Sequence, residues 1–154
     1  MKWHVPRILL LLLILTASCD QKVFYDEYVR TNGQWSWRDA REFLVEVDDT
    51  LSLYNIYVQV RHTTDYPMSN LYMFVHVKGP NGQHRKDTVN MILAEPSGEW
   101  TGRGSGHLRE LQLLFRNQVQ FRIPGTYVFT LEQAMRNPEL PVTDLGIRVE
   151  NSNP

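Results

Sequence analysis

Leu51-Ser52-Leu53-Tyr54-Asn55-Ile56-Tyr57-Val58-Gln59-Val60-Arg61 is the stretch that decides the fold. From Ile56 its aliphatic side chains recur at every second residue, the period of a strand with one buried face and not of a helix. Ile56, Val58 and Val60 are expected inward, with Tyr57, Gln59 and Arg61 outward. Upstream, Phe43, Val45 and Val47 alternate with Leu44 and Glu46 and stop at an Asp48-Asp49 turn. Downstream, Leu71, Met73, Val75 and Val77 alternate with Tyr72, Phe74 and His76. Gly79-Pro80-Asn81-Gly82 then turns the chain into a returning strand through Val89, Met91 and Leu93.

The pattern continues towards the C-terminus. Leu111, Leu113 and Phe115 precede Val119, Phe121 and Ile123, and Pro124-Gly125 leads into Tyr127, Phe129 and Leu131. Leu145, Ile147 and Val149 suggest a last short strand. Leu108–Leu114 and Leu131–Asn137 alone fit a helix, and both are short. Roughly eight or nine short strands with turn signals between them predict an all-β fold. The expected architecture is a single antiparallel β-sandwich, immunoglobulin-like or jelly-roll-like, over residues 32–150. An extended lead-in occupies 19–31, where Val23, Phe24, Tyr25, Tyr28 and Val29 can dock, and 151–154 form a tail.

The start of the chain has a different composition. Lys2, His4 and Arg7 precede the apolar run Ile8-Leu9-Leu10-Leu11-Leu12-Leu13-Ile14-Leu15. That run is far shorter than the ~20 residues a spanning helix needs, and matches the core of a secretory signal over residues 1–18. Small residues Thr16-Ala17-Ser18 come next, and then Cys19, the only cysteine of 154 residues. One cysteine excludes an intramolecular disulfide framework. The pattern resembles the bacterial lipobox, in which the cysteine thiol takes a diacylglycerol and becomes the first mature residue. Thr16 stands where leucine is usual, with Leu15 one step earlier. Acyl chains contribute about 0.8 kcal/mol per buried CH₂, so two or three hold a protein firmly on a bilayer.

Removing 18 residues, which carry Lys2 and Arg7 and no acid, leaves 136 residues with 14 basic and 17 acidic side chains. Such a balance offers no basic excess for nucleic acid. Apart from His4 in the signal, the histidines are His62, His76, His84 and His107, and none has the close spacing of a local metal site. There is no Gly-x-Ser-x-Gly elbow, and Ser105 lies in a loop between expected strands. Gly102-Arg103-Gly104-Ser105-Gly106 lacks the strand-to-helix setting of a phosphate loop and reads as a tight connection, although glycines also admit a partner's backbone. No catalytic residue, metal site or cofactor is expected.

The mature chain resembles the gliding-motility lipoprotein family GldH of Bacteroidota. The likeness runs from Cys19-Asp20 and Val23-Phe24-Tyr25 through Trp35 and Tyr57-Val58-Gln59-Val60-Arg61-His62 to Tyr66-Pro67 and Asn70-Leu71-Tyr72. It includes Gly98-Glu99-Trp100-Thr101-Gly102-Arg103-Gly104 and the stretch Pro124-Gly125-Thr126-Tyr127-Val128-Phe129-Thr130-Leu131-Glu132-Gln133-Ala134-Met135-Arg136. It closes with Leu145-Gly146-Ile147-Arg148-Val149-Glu150. The order and spacing of these segments carry the resemblance. It implies a non-enzymatic envelope lipoprotein associated with gliding motility and the related secretion apparatus.

The expected function is therefore a structural or assembly component, held to a membrane by the lipid on Cys19, facing the periplasm and meeting other envelope proteins. A second reading is a glycan-binding module, with Trp35, Trp37 and Trp100 as contacts. On a strand, Trp35 and Trp37 would share one face. A third is an enzyme, which would need a convergence such as His62 with Asp65. Asp49-Thr50-Leu51 and Asp87-Thr88-Val89 resemble the acidic-Thr-aliphatic acceptor for O-glycosylation in Bacteroidota, which marks Thr50 and Thr88.

Overall fold

The computed structural model describes residues 22–152, and Cys19 with the signal segment lies outside the described residues. Ten strands and no helix occur among them. They are β1 (Val23–Arg30), β2 (Trp35–Ser36), β3 (Arg41–Val47), β4 (Tyr54–Thr63), β5 (Asn70–Lys78), β6 (His84–Ile92), β7 (Leu108–Val119), β8 (Gly125–Gln133), β9 (Glu139–Leu140) and β10 (Val142–Asn151). Two four-stranded sheets, β1-β10-β4-β7 and β3-β8-β5-β6, are antiparallel throughout, and β2-β9 forms a two-residue ladder.

Setting aside β2 and β9, the pairings nest: β1 with β10, β3 with β8, β4 with β7, β5 with β6. The chain is thus one long antiparallel hairpin, folded at the Gly79–Gly82 turn and wrapped so that its paired arms fall alternately in the two sheets. That is the jelly-roll arrangement, and it decides between the two sandwich types expected. Both edges of the wrap are tied. The Arg116 guanidinium of β7 reaches the Asp87 carboxylate of β6 at 2.5 Å between the sheets, and β1 lies along β3 at the other side.

Alternation builds the core. Phe43, Val45 and Val47 of β3 and Ile56, Val58 and Val60 of β4 are buried as their spacing requires. Leu71, Met73 and Val75 meet them from β5, Phe129 and Leu131 from β8, and Leu145, Ile147 and Val149 from β10. Each such side chain contributes about 1.5–3 kcal/mol when withdrawn from water.

Three expectations change. Residues 23–30, expected as an extended lead-in, are edge strand β1, paired with β10. The two short stretches that fit a helix are not helical: Leu108–Leu114 opens the 12-residue β7, and of Leu131–Asn137 the first three residues end β8 while 134–137 form an irregular connection. Cross-strand pairing along β4 and β5 overrides their local ambiguity. The last strand is not short either, since β10 runs ten residues between β1 and β4. Its Asp144, Gly146 and Arg148 interrupt the apolar pattern only on the outer face.

Candidate functional site

The outer face of the first sheet carries a set of polar side chains with defined partners. Register aligns Tyr28, Gly146, Gln59 and Gln112 in one row across β1, β10, β4 and β7. The neighbouring row is Arg30, Asp144, Arg61 and Glu110. Gly146 makes the first row possible. A Cβ there would lie 2.8 Å from Gln59 Oε1 and 3.0 Å from both Tyr28 Cδ1 and the Glu27 carbonyl oxygen. Without it, the Tyr28 ring and the Gln59 amide close over the backbone. Gln59, expected on the solvent side, does point that way but is buried, and its Nε2 donates to Gln112 Oε1 at 3.1 Å.

Charge is ordered around this row. Arg61 lies 3.9 Å over the Tyr28 ring while its Nε donates to Glu110 Oε2 at 2.6 Å. Glu110 thereby holds the Arg61 guanidinium charged. Burial, and then the Glu110 carboxylate, push the Tyr28 hydroxyl well above its ordinary range. Arg148 bridges Asp26 at 2.5 Å and Glu150 at 2.6 Å. These pairs are half-exposed, so each is worth only about 0–1 kcal/mol. Their consequence is geometric: each side chain has a defined partner across the face.

The glycine-rich loop borders the same face. Arg103 and Glu110 exchange backbone hydrogen bonds at 2.8 and 2.7 Å. A Cβ at Gly104 would sit 2.1 Å from the Leu108 carbonyl oxygen, so this position admits no side chain. The glycines thus let the loop lie against its own β7, a use within the molecule. Thr101, Arg103, Glu110 and Gln112 line an open cleft of about 360 Å³ between loop and sheet.

The tryptophans do not form a platform. Trp35 is 0% exposed, with its indole Nε1 donating to the Asp39 carbonyl at 2.8 Å. Trp37 is 48% exposed, in the turn that follows β2. They do not share a face because the strand ends at Ser36, which destroys the period of two. Trp100 is half-buried against the core, 4.9 Å from the His62 ring.

His62 and Asp65 do not converge either. His62 is enclosed by the Tyr66 and Trp100 rings, its Nδ1 donating to the Thr63 carbonyl at 2.9 Å, whereas Asp65 is exposed. Asp49 accepts the Leu51 and Ser52 amides at 2.8 and 3.2 Å, a turn-forming role. Thr88 is exposed on edge strand β6, and Thr50 is half-buried in the β3–β4 connection. Among the described residues, no group of three or more His, Cys, Asp and Glu side chains is placed to hold a metal ion.

Residues 23–149 match the family model described as GldH lipoprotein. The chain belongs to the GldH lipoprotein family. A gliding motility lipoprotein GldH homolog of Christiangramia forsetii is 33% identical over 95% of this chain and 94% of its own length. Gliding motility lipoprotein GldH of Flavobacterium johnsoniae is 32% identical over 95% and 96%. Among solved structures, the infectious bursal disease virus VP2 subviral particle matches 86% of this chain and 34% of its own at 12% identity and a TM-score of 0.27, too low to bear on the fold. Family membership makes this a lipoprotein, a class held to a membrane of the cell envelope. GldH is not known as a family of enzymes.

The outer face of the first sheet was not assembled by sequence reasoning. Tyr57-Val58-Gln59-Val60-Arg61 and Leu145-Gly146-Ile147-Arg148-Val149-Glu150, both part of the GldH resemblance, are neighbours in the sheet. The signal was their outward-facing positions, and what was missing was the pairing that joins them.

Proposed function

We propose that this GldH-family chain is a non-enzymatic assembly component of an envelope complex associated with gliding motility and the related secretion apparatus. A diacylglycerol on Cys19 tethers it, with the sandwich facing the periplasm. The outer face of the first sheet receives another envelope protein. The observation that supports this is the fixed array around Tyr28, Gln59, Arg61, Glu110 and Arg148, built from the family-like strands. Tyrosine and arginine are the residue types that dominate binding at protein interfaces when their geometry is set in advance.

The test is proximity labelling and mild-detergent pull-down of the full lipoprotein, compared with an Arg61→Ala/Arg148→Ala variant that stays folded and membrane-bound. Recovery of the same envelope proteins by wild type, reduced at least several-fold in the variant, supports the reading. A solitary monomer under gentle extraction, or an unchanged set of partners in the variant, overturns it.

A further inference from the structure

On the opposite side of the molecule, the outer face of the second sheet carries a cluster that the proposed function does not use. His76 on β5 and His84 on β6 are eight residues apart, yet the hairpin turn between them folds one onto the other. His76 Nδ1 and His84 Nε2 are 3.2 Å apart. On its other side, His76 Nε2 lies 2.8 Å from Glu132 Oε2 of β8. From this geometry we infer a binding site for a divalent transition-metal ion of the zinc or copper class, with His76 and His84 as its two protein ligands.

The separation is what two ligands of one metal require. Tetrahedral zinc with bonds of about 2.0–2.1 Å places two of its nitrogens about 3.3 Å apart. The tautomer is also prepared. Glu132 has no proton to give in its ionised form, so His76 Nε2–H donates to it, and a neutral His76 presents a bare Nδ1 towards His84. This is the carboxylate–histidine arrangement that orients a metal-ligating imidazole. Without metal, one proton lies between the two nitrogens. A metal ion replaces it, and the proton passes to the other nitrogen of the exposed His84 or to water. The rings are inclined at 32°, and His84, exposed at the start of β6, must swing about its side-chain bonds to aim its lone pair at an ion held on His76 Nδ1.

Two carboxylates stand near the pair, and both nearby ammoniums are on flexible stems. Glu42 and Glu132 line the cleft with the ammonium of Lys78, which stands opposite His84 in the register and has a long stem free to swing aside, while Lys86, opposite His76, is drawn onto the Phe74 ring at 3.6 Å. Two protein ligands leave positions for water or for a donor from another molecule. Imidazole nitrogen selects zinc, copper and nickel over magnesium or calcium.

Zn²⁺ titration by calorimetry tests the site, using the full chain in detergent, purified through a histidine-free tag and stripped with chelator. The expectation is one saturable site per chain, lost in His84→Ala and in His76→Ala. Glu132→Gln, which keeps the shape and removes the charge, should weaken binding roughly 10–100-fold. Copper added in place of zinc should give an electron paramagnetic spectrum showing two coupled imidazole nitrogens. Absence of saturable Zn²⁺ binding overturns the inference. So does binding that survives in the His76→Ala/His84→Ala double variant, since that would move the ion to His107 or to carboxylates. Partner recovery through the first sheet is read separately, so each proposal fails on its own evidence.

Discussion

The His62 and Trp100 rings pack at 4.9 Å between centroids, tilted by 56°, and close the end of the sandwich where β4 finishes. Tyr66 covers the imidazole from another direction at 5.5 Å, and His62 is left with no exposure. A histidine placed on the inward side of a strand and lidded by two aromatics is a core residue. Its Nε2 finds no hydrogen-bond partner, so protonation there would put an uncompensated charge into the interior.

Stability should therefore fall on acidification. Burial, opposed by the Thr63 carbonyl and aided by Arg109, lowers the His62 pKa below its ordinary 6.5. Between the folded value and 6.5 the unfolded chain binds a proton that the native state refuses, so stability rises with pH across that window. The contribution is complete above 6.5 and declines as pH drops below it. Urea unfolding at about pH 7.5 and about pH 5.5 should show a smaller difference in His62→Phe than in wild type. An equal difference would assign the pH dependence to other groups.

Gly146→Ala should destabilise the fold by about 1–3 kcal/mol, the usual range for forcing a methyl group into a closed site. The new Cβ meets the Glu27 carbonyl oxygen, which is backbone, as well as the Gln59 amide and the Tyr28 ring. A lower urea midpoint with an unchanged slope is the expected readout. In the Gln59→Ala background part of the cost should be recovered, because the nearest obstructing atom is then absent.

The two tryptophans near β2 should behave oppositely. Trp35→Ala removes a fully buried indole and should cost about 3–5 kcal/mol. Trp37→Ala, in an exposed turn, should change stability by no more than about 0.5 kcal/mol. Thermal unfolding of both variants separates them, and equal losses would contradict the placement of the chain at Ser36.

Most of the fold was legible because its strands alternate. Val45, Ile56, Val58, Val60, Leu71, Met73 and Val75 announce an inward face without any knowledge of partners. The candidate sites were not, because each joins residues whose proximity comes from pairing. Arg61 meets Glu110 across 49 positions and Arg148 meets Asp26 across 122. The histidine pair was the nearer miss. Searching short local spacings overlooks His76 and His84, which stand almost symmetrically about the Gly79–Gly82 turn and were brought together by the hairpin that turn already signalled. Burial on the outer face was also hidden, since Gln59 looks solvated until Gly146 is seen beside it.

The anchor proposed at Cys19 has a geometric consequence. Four residue steps separate Cys19 from Val23, where β1 starts, and a fully extended chain covers at most about 14 Å over four residues. The end of the sandwich that holds the start of β1 must then stay close to the bilayer. That end includes Ser152, whose amide donates to the Leu53 carbonyl at 2.8 Å, and the β3–β4 connection with Leu51 at its tip, 85% exposed. Phe24, 40% exposed, packs against Tyr54 at 5.2 Å between tilted rings. Exposed apolar side chains on a face pressed towards lipid gain by reaching the interface. A polarity-sensitive fluorophore on Leu51→Cys, in otherwise wild-type lipoprotein in vesicles, should report an apolar setting. A flexible linker of about 20 residues inserted after Asp20 should return it to a watery one, because such a chain has a mean span of roughly 25 Å. Cys19→Ala should release the whole chain from the membrane fraction. A label that reads water in the unmodified tether would show that the domain stands off the bilayer and that Leu51 does not face it.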